Sequence, residues 1–388
     1  MAGKILWATL FACSALWGFE YRGTVEVEQS FYDNASPLKR NRETLGAFDL
    51  QLTHRAGGQK LFAAIEGLHS SSDGEKSYLR FNELGDTYRS GQAEFSIGKS
   101  VLFWGSLEGY NLTDVFNTKD ILEAPYSPFE KENKLGSWSA GCRHDTEYGS
   151  FGVIAKLHEE RQEIGDEASA YNRYPLPYDP GLLYEADDDR PTLFLRYEGS
   201  AEESDFEYAI FYQNGYDHHR RLVVSGGRLQ QYLYLVERLA AYGTYTAGDT
   251  LCKFEASVTE PKGTEASYYQ FGAGMEHTWF GVMGETDATL YAEYYRSDIA
   301  PSVELFQNDL FVAVRFTRND TAATEWSVGC FRDMAFHDTI VQGEFKRRIF
   351  GAWKLHLLLM GIDADGSGSA LAPLDNHRSF KAALQYYF

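Results

Sequence analysis

The residues best suited to act on a solute lie in one stretch, Gly98-Lys99-x4-Trp104-Gly105-x5-Asn111-x2-Asp114-x2-Asn117. Residues 104–135 carry six carboxylates and three lysines, a net charge of −3. Carboxylates gathered in a confined space attract cations, so the chemistry expected here is selection by charge rather than bond breaking. The candidates for this role are Trp104, Glu108, Asn111, Asp114, Asn117, Asp120 and Glu123.

Covalent chemistry is not expected from this sequence. It contains no local nucleophile motif, and its histidines fall in separate segments. Asp363-Ala364-Asp365-Gly366 resembles the first half of a calcium-binding loop, but its twelfth position is Leu374 instead of the closing glutamate. We therefore expect no enzyme activity, no cofactor and no metal site. The histidines considered were His54, His158, His218, His219, His277 and His356.

The first 18 residues are predicted to be a secretory signal peptide. Lys4 gives a short positive region, and the apolar run from Ile5 to Trp17 is too short for a transmembrane anchor. Residues 19–388 then form one domain. The mean hydropathy of −0.39 excludes a helical membrane protein, and the net charge of −20 argues against a nucleic-acid partner.

The rest of the chain alternates between apolar and mixed residues with a period of two. Such segments of about ten residues are typical of transmembrane strands, although strands of a β-sandwich alternate as well. The pattern predicts eighteen strands, or 16 if 19–32 and 77–89 are not strands. They are predicted near 19–32, 44–55, 59–69, 77–89, 91–103, 136–146, 149–159, 191–199, 204–213, 228–246, 250–260, 267–280, 286–298, 307–318, 322–334, 338–349, 351–363 and 377–388.

The connections decide between the two architectures. Those after even-numbered strands are short, whereas several after odd-numbered strands are long, including 104–135 and 160–190. Short turns at one end and long loops at the other characterise outer-membrane barrels. The predicted fold is therefore all-β, a closed antiparallel transmembrane β-barrel. Residues 160–190 with Glu159 hold ten acidic residues, and this run is expected to be a solvated external loop.

The last strand resembles the carboxy-terminal assembly signal of outer-membrane proteins. It ends on an aromatic residue, has a second aromatic two positions earlier, and continues this apolar face towards its start. The resemblance implies that the barrel-assembly machinery recognises this segment. The residues concerned are Phe380, Leu384, Tyr386 and Phe388.

The stretch from Gly98 to Asn117 resembles a motif of porin-like families in the Gram-negative outer-membrane porin superfamily. Those families continue with Pro-x-Asp, where this chain has Thr118-Lys119-Asp120. The resemblance implies that 104–135, after strand five, folds inward and narrows the lumen. The alternative is an external loop that packs over the rim.

The predicted lumen wall carries both signs of charge. Opposed rows could orient polar solutes across a transverse field, or they could form a salt-bridged, hydrated wall. The residues assigned to it are Lys156, Arg196, Lys253, Arg315, Lys354, Glu276 and Glu293.

The function expected from these features is a porin in the outer membrane, a passive diffusion channel for small hydrophilic solutes. One alternative is a transporter of hydrophobic molecules or lipids, and another is a structural or adhesive surface barrel. The expected partners are outer-membrane lipid, lipopolysaccharide and the barrel-assembly machinery. A homotrimer is expected by resemblance only, because many porins of this size are trimers.

Overall fold

The computed structural model describes residues 18–34, 36, 38–122, 134–201, 205–300, 303–364 and 368–388, so 1–17 of the expected signal peptide lie outside the described residues. Within these ranges, eighteen antiparallel strands pair in sequence order into one sheet, and the last strand pairs with the first. The strands are β1 (Glu20–Asp33), β2 (Arg42–Ala56), β3 (Gln59–Ser70), β4 (Tyr78–Ser90), β5 (Ala93–Ser100), β6 (Ser137–Thr146), β7 (Gly149–Lys156), β8 (Thr192–Ala201), β9 (Phe206–Tyr216), β10 (Leu235–Ala247), β11 (Thr250–Pro261), β12 (Tyr268–Trp279), β13 (Thr286–Ser297), β14 (Asn308–Arg318), β15 (Glu325–Asp333), β16 (Thr339–Phe350), β17 (Trp353–Asp363) and β18 (His377–Tyr387).

The seam between β1 and β18 closes the barrel. Its register runs from Thr24 opposite Tyr387 to Asp33 opposite Arg378. Beyond it, Gly23 and Phe388 exchange two main-chain hydrogen bonds of 3.1 Å. Closure leaves no strand edge unpaired, which a sheet surrounded by lipid requires. The predicted 18-stranded barrel is confirmed, and the two segments that 16 strands would have removed are β1 and β4.

The two faces of each strand follow the predicted alternation. In β18, Phe380 and Leu384 are exposed on the outside, whereas Ser379, Lys381 and Ala383 are buried inside the barrel. An outer belt of this kind suits lipid, and the inward positions hold the polar and charged side chains. The role of the β18 face in assembly stays a prediction.

The connections also alternate as predicted. The turn after β2 is 57–58 and the turn after β10 is 248–249, whereas 101–136 follows β5 and 157–191 follows β7. We call the two ends of the barrel the short-turn end and the long-loop end. None of the helices in the described ranges is long and apolar enough to span a bilayer.

One strand assignment was wrong. Segment 228–246 was predicted as a single strand, but Arg228–Leu233 belongs to a separate three-stranded sheet, and β10 begins at Leu235. The partners of Arg228–Leu233 in that sheet are Arg221–Ser225 and Tyr178–Tyr184, both from long-loop connections. The error arose because a strand in a loop can alternate in the same way as a strand in the wall.

Candidate functional site

The connection between β5 and β6, residues 101–136, is called the inward loop. Its described part has the burial of a protein core: Leu107 and Phe116 are 0% exposed and Leu112 is 1% exposed. An 18-stranded barrel encloses a lumen that its own wall side chains cannot fill, so a loop can enter it. The predicted inward fold is confirmed. The alternative, a loop packed over the rim, is wrong for this chain.

Two wall carboxylates hold the tip of the inward loop by its main chain. Glu255 on β11 accepts hydrogen bonds from the amides of Ser106 (2.6 Å), Leu107 (3.0 Å) and Thr113 (2.8 Å). Its Oε2 also accepts the Thr113 hydroxyl at 3.0 Å.

Glu293 on β13 accepts the amides of Glu108 (2.7 Å) and Gly109 (2.9 Å). Both carboxylates are buried, Glu255 at 0% and Glu293 at 2% exposure. Bonds from amides to a carboxylate are stronger than neutral ones, so this pair, called the wall anchor, fixes the tip against the wall opposite β5.

Trp104 and Gly105 also help to hold the inward loop against the wall. Gly105 has φ +121°, and a Cβ there would lie 2.7 Å from the Oε1 of Glu255 and 2.7 Å from the Oδ1 of Asn111. Only glycine allows the chain to pass this close to the anchor. The ring of Trp104 packs against Phe194 and Phe211 of the wall, with centroids 5.1 and 4.9 Å away.

Asn117 closes the base of the loop. Its Oδ1 accepts the amide of Leu102 (2.7 Å), and its Nδ2 donates to the carbonyls of Ser100 (3.1 Å) and Leu135 (2.8 Å). Next to it, Thr118–Lys119 pairs with Lys134–Leu135 as a short ribbon. The predicted pore-facing role therefore does not fit Asn117, whose amide joins the two ends of the loop.

The predicted acidic residues of the loop are paired with cations. Asp120 binds Arg80 at 2.7 Å, Asp114 pairs with Lys134, and Glu108 binds Arg315 at 2.9 Å. The loop's net charge therefore does not by itself give a row of unpaired carboxylates. Glu123 lies outside the described residues.

The predicted wall residues all lie on the inner face, and most are in salt bridges. Lys253 binds Glu276 at 2.8 Å and lies 3.9 Å from Glu108. Lys156 binds Glu159 at 2.7 Å where β7 ends. This agrees with a salt-bridged wall more than with separate rows of opposite sign.

Two further wall residues remain partly open to the lumen. Arg196 pairs with Glu198 and Tyr242, and its guanidinium lies 5.2 Å from the centre of the Trp104 ring. Lys354 on β17 is partly buried.

Open space remains on the short-turn side of the inward loop. A cavity of about 680 Å³ extends from β1 to β8, and Trp104 and Arg196 line it. Charged residues at its sides include Arg22, Glu83 and Arg143. A second cavity of about 480 Å³ is lined by Gly105, Ser106 and Arg196.

The long-loop half of the lumen is filled differently. Apolar side chains of the inward loop, the wall and the other long loops form one buried group, which we call the lumen cluster. Gly109 packs against the rings of Phe311 and Phe331, so that a Cβ there would lie 2.7 and 2.8 Å from them. Other members are Tyr32, Leu107, Leu112, Tyr171, Tyr295, Phe306, Leu371 and Leu374.

The connection 157–191 is only partly the solvated loop that its charge predicted. Ile164, Ala170 and Tyr171 are buried, and Tyr171 belongs to the lumen cluster. Asp166 forms an ion pair with Arg40 from the connection after β1. Glu159 likewise lies 3.6 Å from Arg220 of another connection, whereas Asp187, Asp188 and Asp189 are exposed, so the exposed acidic run of this connection lies near its end.

The sequence also missed a buried ion pair between two long loops, His219 and Glu304, whose Nε2 and Oε2 are 2.9 Å apart. The sequence places His219 only in a connection between strands. A separation of 85 residues leaves no local pattern from which the pair could have been found.

Neither a protein-family model nor a curated protein sequence matches this chain. Solved structures do. OccK11 (OpdR) of Pseudomonas aeruginosa matches with a TM-score of 0.57 at 7% identity, covering 96% of both chains. OpdO of the same species matches with 0.57 at 9%, covering 95% of this chain and 97% of its own. OccAB4 of Acinetobacter baumannii matches with 0.57 at 8%, covering 95% and 98%. At these identities the likeness concerns the fold.

Proposed function

We propose that this chain is an outer-membrane porin, a passive diffusion channel for small hydrophilic solutes. The observation that carries the proposal is the inward loop, held across the lumen of a closed 18-stranded barrel by Glu255 and Glu293. A barrel of this size encloses an aqueous passage, and a fixed loop sets its narrowest section. The wall anchor determines where that section lies.

Charged side chains support a hydrophilic solute. The larger cavity is lined by residues such as Arg22, Glu83 and Arg196, which would penalise an apolar molecule. The apolar side chains inside the barrel, by contrast, pack against one another in the lumen cluster. Among the described residues, no open apolar path supports a transporter of hydrophobic molecules, and no contact specifically supports an adhesive barrel.

The proposed orientation follows from the outer surface and the connections. The apolar outer belt would contact outer-membrane lipid, and the long loops would face the exterior, where lipopolysaccharide lies. The short-turn end, with both ends of the barrel chain, would then face the periplasm. A homotrimer is proposed by resemblance to porins.

Planar-bilayer recording tests the proposal. Purified chain should add ohmic conductance steps, and deleting 106–113 should enlarge them, because the anchored tip no longer crosses the lumen. The matched control deletes Ser225 and Arg228, an exposed pair in an external hairpin outside the lumen. Steps no larger than those of a detergent blank would refute the channel, and an unchanged step size in the loop deletion would refute its narrowing role.

A further inference from the structure

A buried polar network joins three separate connections at the long-loop end. Arg238 on β10 donates to the Oδ1 of Asp217 at 2.7 Å and to the hydroxyl of Tyr268 on β12 at 2.5 Å. His219 contacts the same Tyr268 hydroxyl through Nδ1 at 3.1 Å and Glu304 through Nε2 at 2.9 Å. The network therefore begins on the rigid wall and ends on the connection between β13 and β14.

Glu304 connects this network to residues inside the lumen. Its Oε2 also accepts the hydroxyl of Tyr110, from the inward loop, at 2.7 Å. Its Oε1 accepts the amides of Leu305 at 2.6 Å and Phe306 at 3.2 Å, which sets the direction of the Phe306 side chain. Phe306 belongs to the lumen cluster, with its ring 4.6 Å from Phe331. An ion pair between loops thus holds an aromatic ring inside the barrel.

The geometry fits a doubly protonated His219. One ring N–H can donate to Tyr268, whose hydroxyl donates in turn to the Oδ2 of Asp217 at 2.5 Å, and the other can donate to Glu304. Burial by itself would lower the pKa of His219, but hydrogen bonds and charges from Asp217 and Glu304 raise it above its usual value. In return, contact with His219 outweighs burial and lowers the pKa of Glu304 to about 2.

Other charged groups surround the His219–Glu304 pair, and they lie on the inward loop, on the connection between β9 and β10 and on the wall. Lys119 of the inward loop faces Glu304, with its Nζ 3.7 Å from the centre of the Tyr110 ring. Burial lowers the pKa of Lys119, although Glu304 and Asp114 oppose this. Burial and the charge of His219 hold the pKa of His218 well below its usual value, so His218 is neutral when His219 is charged. The titratable and charged groups that interact with the pair or with its direct partners are Asp114, Lys119, Tyr110, Asp217, His218, Tyr234, Arg238, Tyr268 and Asp309.

The same residues could alternatively bind a metal ion, because ligand atoms of Asp217, His218 and His219 lie within 4.8 Å of one another. Arg238 argues against it. Its guanidinium is 2.7 Å from the Oδ1 of Asp217 and 3.2 Å from the Nδ1 of His218, where a cation would have to bind. A fixed positive charge at that place repels a metal ion.

We propose that the His219–Glu304 pair is a proton-dependent latch that holds Phe306 and Tyr110 in the lumen and keeps the channel in its narrow state. This rests on the proposed channel function. The raised pKa means that the latch is complete below the usual pKa of histidine, about 6.5, and is lost as the pH rises through the higher value of the folded chain. Neutral His219 leaves the buried Glu304 with Lys119 as its remaining cationic neighbour and without its charged hydrogen-bond donor, which favours withdrawal of 303–307 from the lumen.

Conductance between about pH 5 and about pH 9 tests the latch, since histidine titrates in this range. Wild-type conductance should be small at the acid end and increase towards the alkaline end. His219→Gln and Glu304→Gln should show the large conductance at every pH. His337→Asn is the matched control, because His337 is an exposed histidine in another external turn at φ +64°, which asparagine tolerates. It should keep the wild-type profile.

Hydrogen exchange of the Leu305 and Phe306 amides gives a readout that does not need a channel. At about pH 6, His219→Gln should exchange there roughly tenfold faster than wild type, after correction for intrinsic rates, as a buried carboxylate losing its partner implies. Equal exchange, or a pH profile that survives in His219→Gln, would overturn the latch. Faster exchange without conductance in any protein would keep the latch and refute the porin. Heat-dependent gel mobility shows that each variant has folded.

Discussion

Replacing Glu255 with glutamine should loosen the inward loop while leaving the barrel closed. The carboxylate accepts four hydrogen bonds, from the amides of Ser106, Leu107 and Thr113 and from the Thr113 hydroxyl. A glutamine retains one accepting oxygen. Its amide nitrogen would then face donors at the position of the other oxygen. At least one main-chain donor is left buried without an acceptor.

The size of the effect follows from these contacts. An N–H bond to a charged acceptor contributes about 1.5–3 kcal/mol, and the bonds that survive become weaker neutral ones. Glutamine also removes a buried charge, which returns part of the loss. We therefore expect the anchored state to lose about 2 kcal/mol, or roughly 30-fold in its population relative to a released loop.

Single-channel recording detects the released loop as excursions to larger conductance and as added current noise. Exchange of the Ser106, Leu107 and Thr113 amides reports the same event directly. Glu344→Gln is the matched control: Glu344 on β16 is also buried on the inner face, but it pairs with His356 at 2.8 Å and Lys346 at 2.7 Å rather than with the loop. Wild-type noise together with wild-type exchange in Glu255→Gln would refute the anchor.

Three further changes probe other parts of the same design. Gly109→Ala should displace the loop tip and destabilise it by about 1–3 kcal/mol, because the added Cβ overlaps the buried rings of Phe311 and Phe331; normal exchange at the tip would contradict this. Asn117→Ala should free the loop base by a similar amount, about 1–3 kcal/mol, through lost bonds to Leu102, Ser100 and Leu135, seen as current noise that rises without loss of folded barrel. Removing Phe388, which bonds Gly23 across the seam, should reduce the fraction of chain that reaches the heat-modifiable folded form in cells; an unchanged fraction would count against its role in assembly.

The barrel itself was accessible from the sequence because its physical rules are local. A period of two reports which face of a strand is buried, and the length of each connection reports at which end it lies. Both signals act within about ten residues, so β1 and β4 were found despite weak patterns. The segment 228–246 failed because alternation does not identify the partner strand, and Arg228–Leu233 pairs within the external sheet.

The site was less accessible because it depends on contacts between distant residues. The motif around Trp104 indicated an inward loop, but not that Glu255, 149 residues after Ser106, would hold it. Likewise, the net charge of the loop predicted that Asp114 and Asp120 would act as unpaired carboxylates. In the folded chain they are paired with Lys134 and Arg80. Charge counted along a chain does not include the counter-ions that folding supplies.

The wall anchor acts on main-chain amides, which makes the tip of the loop open to engineering. Because Glu255 and Glu293 bind the N–H groups of 106, 107, 108, 109 and 113, a half-buried side chain of the tip that the anchor does not contact can change without loss of the attachment. Proline alone would remove a donor. Glu108 is the natural position to vary, since its amide is anchored while its side chain meets Arg315. A library at this residue would test how that side chain affects conductance while the main chain stays anchored.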